Sequence, residues 1–289
     1  MMKDSQELQT LIIDCHTHLW NVGKHLGTAF VNDYVRVYNR AADTLESTPD
    51  IHLRGIQGED RAVVLGFKSL ALGVSVPNEY VARYVDEHPD RLIGFCSVDP
   101  NDPQAASELR RNVTDLHLNG VKLAPIYQHF DPNSEIAGKV FATAQELEIP
   151  VLIHQGTTFV ENAPLRYAYP SMLDEVATHY PDLKMIVAHL GHPWEDETIA
   201  LIRKQRNVYA DISALYFRPY RFYLKLVTCL EYGVTHKLLF GSDFPFSTPK
   251  KTLASLNDVN DFAAESAPRI PNDVLISIVE KNALTVFKK

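Results

Sequence analysis

Eight short apolar runs recur along the chain, and each is followed by a polar stretch with apolar residues at helical spacing. Runs of this length and composition are typical of strands that are buried on both faces of a parallel sheet. After the second run the spacing is about 30 residues, which suits one strand–helix–strand step per repeat. The runs are LIIDC (11–15), RAVVLGF (61–67), RLIGFCSV (91–98), GVKLAP (120–125), PVLIHQ (150–155), LKMIVAH (183–189), NVYADIS (207–213) and HKLLFGSD (236–243).

The segments between these runs carry residues that favour helix starts. Pro, Asp or Ser stands near the start of stretches such as PQAASELRRNVTDL and SEIAGKVFATAQELE, where it can serve as N-cap or first-turn residue. A chain of 289 residues is close to the size of one (β/α)8 barrel. We therefore predict an α/β fold: one (β/α)8 TIM-barrel domain over residues 1–289, closed by an amphipathic helix within NDVLISIVEKNALTVF.

Two segments interrupt the repeat, residues 19–60 and residues 156–170. We expect the first to be part helix (DYVRVYNRAAD) and part loop (ESTPDIHLRGIQGED). In a barrel both segments would lie over the C-terminal face, where long loops act as lids and specificity elements. The first strand is not followed by a G-x-G-x-x-G motif, which argues against a nucleotide-binding open sheet.

Composition narrows the possible partners. A formal net charge of -8 argues against a nucleic-acid binder or a polybasic membrane-surface protein. The apolar run LII after MMKDSQELQT is too short for a signal sequence or a membrane span, so we expect a soluble, cytoplasmic protein. Cys15, Cys96 and Cys229 form no C-x-x-C pair, and we expect three buried thiols rather than disulfides or a thiolate zinc site.

The first candidate for chemistry is an H-x-H pair at the end of the first strand. His16 and His18 would project from one face of the strand, because strand side chains alternate. Two imidazoles could then converge on one ion, and Asp14, at the same parity, could orient one of them from behind. An isolated H-x-H is a weak motif, and for it alone two chance surface histidines would be the better explanation.

Three further strands end in residues that can bind metals: His154, His189 and Asp243. The C-terminal strand ends are where a parallel barrel gathers its catalytic groups. Imidazole and carboxylate donors together suit zinc, manganese or iron, and three or four protein ligands plus water make an open, catalytic site. The combination predicts a catalytic metal centre.

These motifs also carry a family resemblance. DCHTHLW, GVKLAP, LIHQGTT, AHLGHPW and LFGSDFPF resemble, in order and over nearly the whole chain, the amidohydrolase superfamily. More narrowly, the chain is similar to the group that includes aminocarboxymuconate-semialdehyde decarboxylase, γ-resorcylate decarboxylase, sugar-acid and pyrone lactonases, and many predicted metal-dependent hydrolases.

The resemblance implies a ligand set. His16, His18, His154 and Asp243 would bind one divalent cation, with zinc first and manganese or iron as alternatives. His189 would act on the metal-bound water or the substrate rather than as a firm ligand. Lys122 stands where binuclear members carry a carbamylated lysine, but the resemblance to the mononuclear group favours one metal.

Two reactions fit the resemblance. In the preferred one, a hydrolase, the cation lowers the pKa of its water from about 16 toward 7, and Asp243 or His189 takes the proton as water attacks a lactone, ester or amide. The alternative is a non-oxidative decarboxylase. HQGTT favours the hydrolase, because decarboxylases of the group tend to carry His-Pro there. A catalytically silent binding barrel is a third possibility, against which the complete ligand set argues.

Four further residues are weaker candidates for substrate binding. His192 could contact the substrate or cap a helix. Arg166, Arg218 and Tyr220 fall in predicted loops and could bind a carboxylate, although a solvated loop arginine is the commoner outcome. The aromatic run YFRPYRFY (216–223) fits either a pocket wall or a contact between copies. The predicted partner is therefore a small-molecule substrate, and a homo-oligomer stays open.

Overall fold

The computed structural model describes residues 11–287, and its centre is one sheet of eight parallel strands. An antiparallel pair, β3 with β4, follows the second strand outside this sheet. The order in the large sheet is β1-β2-β5-β6-β7-β8-β9-β10. The strands are β1 (Ile13–His18), β2 (Arg61–Leu65), β3 (Lys68–Ser69), β4 (Val74–Ser75), β5 (Leu92–Ser97), β6 (Gly120–Leu123), β7 (Val151–Ile153), β8 (Met185–Val187), β9 (Val208–Asp211) and β10 (Leu238–Leu239).

Backbone hydrogen bonds join the two ends of this sheet. The amide of Cys15 donates to the carbonyl of Phe240 at 3.0 Å, and the amide of His18 donates to the carbonyl of Phe244 at 2.8 Å. The amide of Asp243 donates back to the carbonyl of His16 at 2.8 Å. The first and last strands are therefore neighbours, which confirms the predicted (β/α)8 barrel and closes the eight-stranded sheet on itself within the described residues.

Helices connect the strands, and several pack directly against them, such as α4 on β2 and β5 and α9 on β9. The α-helices in the described part of the chain are α1 (Val22–His25), α2 (Thr28–Tyr38), α3 (Pro49–Gly55), α4 (Asn78–Asp86), α5 (Ala105–Thr114), α6 (Pro125–Gln128), α7 (Glu135–Glu146), α8 (Leu173–His179), α9 (Glu195–Lys204), α10 (Pro219–Glu231), α11 (Pro249–Asn257) and α12 (Asn272–Glu280).

The strands bury both faces, as the continuous apolar runs indicate. Along β2, Val63 belongs to a small cluster inside the barrel together with Phe95 and Ile186. Ala62 and Val64, on the opposite face, belong to the larger cluster between sheet and helices. Neither face of such a strand meets water, and the buried polar side chains of His18 and Ser97 stand at the C-terminal ends of β1 and β5.

The two irregular segments contain more structure than the sequence predicts. Residues 49–55, expected to lie in a loop, form α3, which begins with Pro49 in its first turn, a position that proline favours.

The predicted closing helix is shorter than expected and ends as α12 at Glu280, followed by a 3-10 turn.

The cysteines agree with a further expectation. Cys15, Cys96 and Cys229 are buried and free, as predicted. Among the residues that the structure describes, no helix is both long enough and apolar enough to cross a membrane.

Candidate active site

The predicted metal-binding residues lie at the C-terminal ends of their strands. His18 ends β1 and His154 follows β7, while His189 lies two residues beyond β8 and Asp243 lies in the segment after β10. Together they line a cavity of about 400 Å³. The barrel therefore brings to one place residues that are more than 200 positions apart in the chain.

Three of these side chains converge on one point. Nε2 of His16 lies 3.3 Å from Nε2 of His18, and each of these nitrogens lies 3.4 Å from Oδ1 of Asp243. Four donors arranged tetrahedrally at about 2.1 Å from a cation lie about 3.4 Å from one another. The three atoms, here called the donor cluster, therefore have the mutual spacing that a single small divalent cation requires.

His189 and His154 lie beside the donor cluster in different ways. Donor atoms of His16, His189 and Asp243 all lie within 4.8 Å of one another, and the His189 ring stacks on that of His16 at 4.9 Å. Nε2 of His154 lies 2.8 Å from the carbonyl oxygen of Thr157. A carbonyl only accepts, so this nitrogen carries the proton and Nδ1 is the one that could bind a metal.

A carboxylate and a hydroxyl behind the cluster orient two of the imidazoles. Nδ1 of His16 donates to Oδ2 of Asp211 at 2.9 Å. Ser213 donates its hydroxyl proton to Asp211 and therefore accepts from Nδ1 of His189 at 2.7 Å. Both histidines thus keep the lone pair on Nε2, as metal-binding histidines do. The sequence analysis missed Asp211 and Ser213. Asp211 could have been found, because it ends the strand in NVYADIS and is, like the other candidates, a metal-competent residue at a strand end.

The suggested role of Asp14 is wrong. Its Oδ1 accepts from the backbone amides of His16 at 3.0 Å and Ser242 at 2.9 Å, so it holds the two chain segments rather than an imidazole. The parity argument failed because the pairing of β1 with β2 shifts register between Asp14 and Thr17. Alternation of side chains does not continue across such an irregularity.

Burial controls the protonation of these groups. Desolvation lowers the pKa values of His16, His18 and His189 well below the usual value, and it lowers the pKa of His154 to about 4. The rings are neutral at pH 7, which is the form that binds metals. Desolvation also raises the pKa of Asp243 well above its usual range, a shift that a bound cation would oppose by favouring the carboxylate.

Lys122, in β6, lines the same cavity beside the donor cluster. Its amino group is 3.2 Å from Nε2 of His16, the side chain is almost fully buried, and burial lowers its pKa to about 8. The lysine that the motif GVKLAP contributes is therefore in contact with the donor cluster.

The backbone at two of the candidate residues is strained. His189 has φ of 56° and Asp243 has φ of 61°, a left-handed region that costs a residue with a Cβ on the order of 1 kcal/mol. The amide of His189 donates to Oδ1 of Asp211 at 2.9 Å, and that of Asp243 donates to the carbonyl of His16. Asp211, which orients the ring of His16, thus also holds the strained backbone of His189.

Of the four weaker candidates, His192 and Arg218 line the cavity, whereas Arg166 and Tyr220 do not. The guanidinium of Arg166 lies 4.6 Å from the centre of the Tyr167 ring, and Tyr220 is 59% exposed.

Aromatic side chains form a large part of the cavity wall. Segments 19–60 and 156–170 both contribute to them, as predicted for loops over the C-terminal face. The aromatic lining residues are Trp20, Phe30, Tyr38, Phe67, Tyr127, Phe159, Phe217 and Phe246.

Residues 13–289 match the model of a protein family described as Amidohydrolase. The chain belongs to the amidohydrolase family. This confirms the resemblance drawn from the five motifs. A curated relative of this amidohydrolase is the γ-resorcylate decarboxylase of Rhodococcus jostii (strain RHA1), 22% identical over 73% of this chain and 75% of the relative.

Solved structures agree on the fold. An uncharacterized TIM-barrel protein from Bordetella bronchiseptica superposes with a TM-score of 0.74 at 21% identity, covering 95% of this chain and 97% of the other. A probable 2-pyrone-4,6-dicarboxylic acid hydrolase from Acinetobacter baumannii gives 0.69 at 17% identity, with 96% and 99% covered. A dihydroxybenzoic acid decarboxylase from a Polaromonas species, with bound manganese and the inhibitor 2-nitroresorcinol, gives 0.67 at 17% identity, with 97% of each chain covered.

Proposed function

We propose that this amidohydrolase is a metal-dependent, non-oxidative decarboxylase of an aromatic carboxylic acid that carries a hydroxyl group next to the carboxylate. The observation that carries the proposal is the position of the donor cluster at the floor of a cavity walled by aromatic rings. The names of the Rhodococcus and Polaromonas relatives support it. On these grounds we prefer the decarboxylase to the hydrolase that the HQGTT motif favoured.

The fold explains why that motif is a poor guide to the reaction. The side chain of Gln155 is fully buried, and its amide donates to the carbonyl oxygens of Tyr167 at 2.7 Å and Tyr169 at 3.0 Å. Gln155 therefore braces the segment after β7 and does not line the cavity. In this chain the residue after His154, Gln155, supports the loop and takes no direct part in the choice of substrate.

The cavity suits a flat, anionic molecule. Aromatic walls favour a planar ring, because rings stack or meet edge to face at little entropic cost. A volume of about 400 Å³ lies in the range of small-ligand sites. Apart from histidines, the positively charged lining residues are Lys122 at the floor and Arg218, an exposed side chain, at the rim.

The donor cluster would hold the metal. His16, His18 and Asp243 would be ligands, and Nδ1 of His154 or Nε2 of His189 would supply a further donor. When bound, a divalent cation would polarise the carboxylate and the neighbouring hydroxyl oxygen of the substrate. Zinc and manganese both accept such nitrogen and oxygen donors. The Polaromonas relative supports manganese, and metal analysis of the purified protein decides between the two.

The chain itself would supply the proton. In decarboxylation the ring carbon gains a proton, the bond to the carboxyl carbon breaks with its electron pair returning to the ring, and carbon dioxide leaves. Asp243 lines the cavity, and its Oδ1 belongs to the donor cluster, so Oδ2 is the atom that would hold the proton. The donor then regains a proton from water, and the aromatic walls keep bulk water from the ring meanwhile.

The test follows carbon dioxide and lactone opening separately. The metal-loaded protein is incubated with 2,6-dihydroxybenzoate, 5-carboxyvanillate and 2-pyrone-4,6-dicarboxylate. We expect metal-dependent carbon dioxide release from a hydroxybenzoate, loss of that release in Asp243→Asn, and normal release in His236→Ala, which alters an exposed histidine. Opening of the pyrone with no carbon dioxide from either aromatic acid would restore the hydrolase, which the Acinetobacter likeness supports.

A further inference from the structure

A second hydrogen-bonded group lines the same cavity and is not part of the donor cluster. Nδ1 of His192 lies 2.6 Å from Oε1 of Glu195. Glu195 is the first residue of α9 and is fully buried. Arg221, in α10, donates from Nε to Oε1 at 2.8 Å, donates from Nη2 to Oε2, and donates from Nη2 to the carbonyl of Pro193 at 2.6 Å.

This arrangement leaves one tautomer for His192. Burial opposes ionisation of Glu195, but the hydrogen bonds from Arg221 and His192 outweigh it and lower the pKa of Glu195 to about 2. A carboxylate can only accept, so Nδ1 of His192 carries the proton. A neutral His192 ring therefore presents a lone pair at Nε2.

That lone pair is available to a ligand. The His192 side chain lines the cavity and is 13% exposed. Among the described residues, the His192 ring has one hydrogen-bond partner, Glu195. That bond is made by Nδ1 of the ring and leaves Nε2 without a partner among those residues. In the neutral ring Nε2 is thus an acceptor at the wall of a cavity whose lining includes eight aromatic side chains.

We propose that His192 recognises a hydroxyl group of the substrate by accepting its hydrogen bond at Nε2, and that Glu195 and Arg221 are positioning residues that hold the ring in this tautomer. The inference rests on the proposed function and deepens it. The substrate class becomes an aromatic acid with two hydroxyl groups, one beside the carboxylate and a second that donates to His192.

The alternative is that these residues only tie α9 to α10. A tie between the helices needs the contact of Arg221 with Glu195, but it does not need an imidazole that lines the cavity. A buried carboxylate is costly unless it is fully hydrogen-bonded, and here one of its partners is a cavity residue. The two explanations differ in what they predict for ligands.

The first test reads the tautomer directly and needs no substrate. Nitrogen-15 histidine spectra of the metal-loaded protein distinguish Nδ1–H from Nε2–H rings, and the His192 signals are those that His192→Phe removes. We expect Nδ1–H in the wild type and a shift toward Nε2–H in Glu195→Gln, because an amide can donate to Nδ1. An Nε2–H or doubly protonated ring in the wild type, or no response to Glu195→Gln, would overturn the proposal.

The second test measures the hydroxyl preference. The probes are 2-nitrophenols, which have no carboxylate to lose, with a second hydroxyl at each ring position in turn, each compared with its methyl ether. At one position we expect the ether to bind the wild type about tenfold or more weakly, since it leaves Nε2 without a donor. In His192→Phe the ratio should fall to about one, while His179→Phe, on an exposed face of α8, should keep it.

The outcomes separate the two proposals. A preference that survives His192→Phe, or no preference at any ring position, would refute the role of His192 while leaving the decarboxylase intact. Failure of every nitrophenol to bind would likewise refute the role of His192. The proposed function fails on its own test, if neither aromatic acid releases carbon dioxide, and the tautomer measurement then still decides whether Glu195 orients His192.

Discussion

Nδ1 of His16 lies 2.9 Å from Oδ2 of Asp211, and both side chains are fully buried. The other oxygen of Asp211 accepts from the amide of His189 and from the amide and hydroxyl of Ser213. One carboxylate therefore sets the tautomer of a donor-cluster histidine and also holds the backbone of His189.

Asp211→Asn should weaken metal binding by about 10- to 100-fold, the usual cost of losing the partner of a metal-binding histidine. The new amide can donate to Nδ1 of His16, which would place the ring proton on Nε2. The measurement is metal retention against a competing chelator. Asp182→Asn is the matched control, because Asp182 forms an exposed ion pair with Arg206. Equal retention in both variants would contradict the assigned role of Asp211.

The purified protein should hold about one equivalent of a divalent metal per chain, because the donor cluster has the spacing of a single site. His16→Ala and His18→Ala should each lose that metal together with activity. Elemental analysis checks both statements. Two tightly held equivalents, with a carbamate on Lys122, would replace the one-metal site by a binuclear one, and full occupancy in either alanine variant would remove that histidine from the ligand set.

His154 and His189 can be separated by the same analysis beside a rate assay. His154→Ala should strip the metal. If His154 rather than His189 supplies the further donor, His189→Asn should keep most of it. Turnover should still fall by on the order of 10²-fold, the usual scale for losing an acid–base group, because His189 lines the cavity beside the cluster and would assist proton transfer at the substrate. Because a donor atom of His189 lies within 4.8 Å of donors in the cluster, the opposite result is informative: metal loss in His189→Asn with retention in His154→Ala would exchange their roles.

Tyr84→Phe should destabilise the protein by about 1–2 kcal/mol. Thr17, between the two cluster histidines, donates to the carbonyl of Val63 at 2.7 Å and so accepts from Nε2 of His52 at 2.8 Å. Nδ1 of His52 must then accept from the hydroxyl of Tyr84 at 2.8 Å, and the substitution leaves this buried nitrogen without a partner. Urea unfolding measures the change, and the partly exposed Tyr80→Phe, also in α4, is the control. Equal stabilities would disprove the direction assigned to these hydrogen bonds.

The eight strands could be predicted because each is buried on both faces, so its apolar run is visible without knowing its neighbours. The locations of His16, His18, His154, His189 and Asp243 could be predicted for the same reason, since a polar residue directly after such a run lies at the catalytic end of a parallel barrel. The family resemblance added the ligand assignments, and it left the choice between hydrolysis and decarboxylation open.

The tertiary structure decided what depends on contacts between distant segments. The register shift in β1 separates Asp14 from the imidazoles, and it is a property of the pairing with β2 rather than of either strand. The partnerships of Asp211 with His16 and of Glu195 with Arg221 join residues on different strands and helices. The aromatic cavity, on which the proposed function rests, is likewise assembled from side chains on many loops. Local sequence determines which backbone segments become strands, whereas tautomers and cavity walls depend on which side chains meet after the barrel closes.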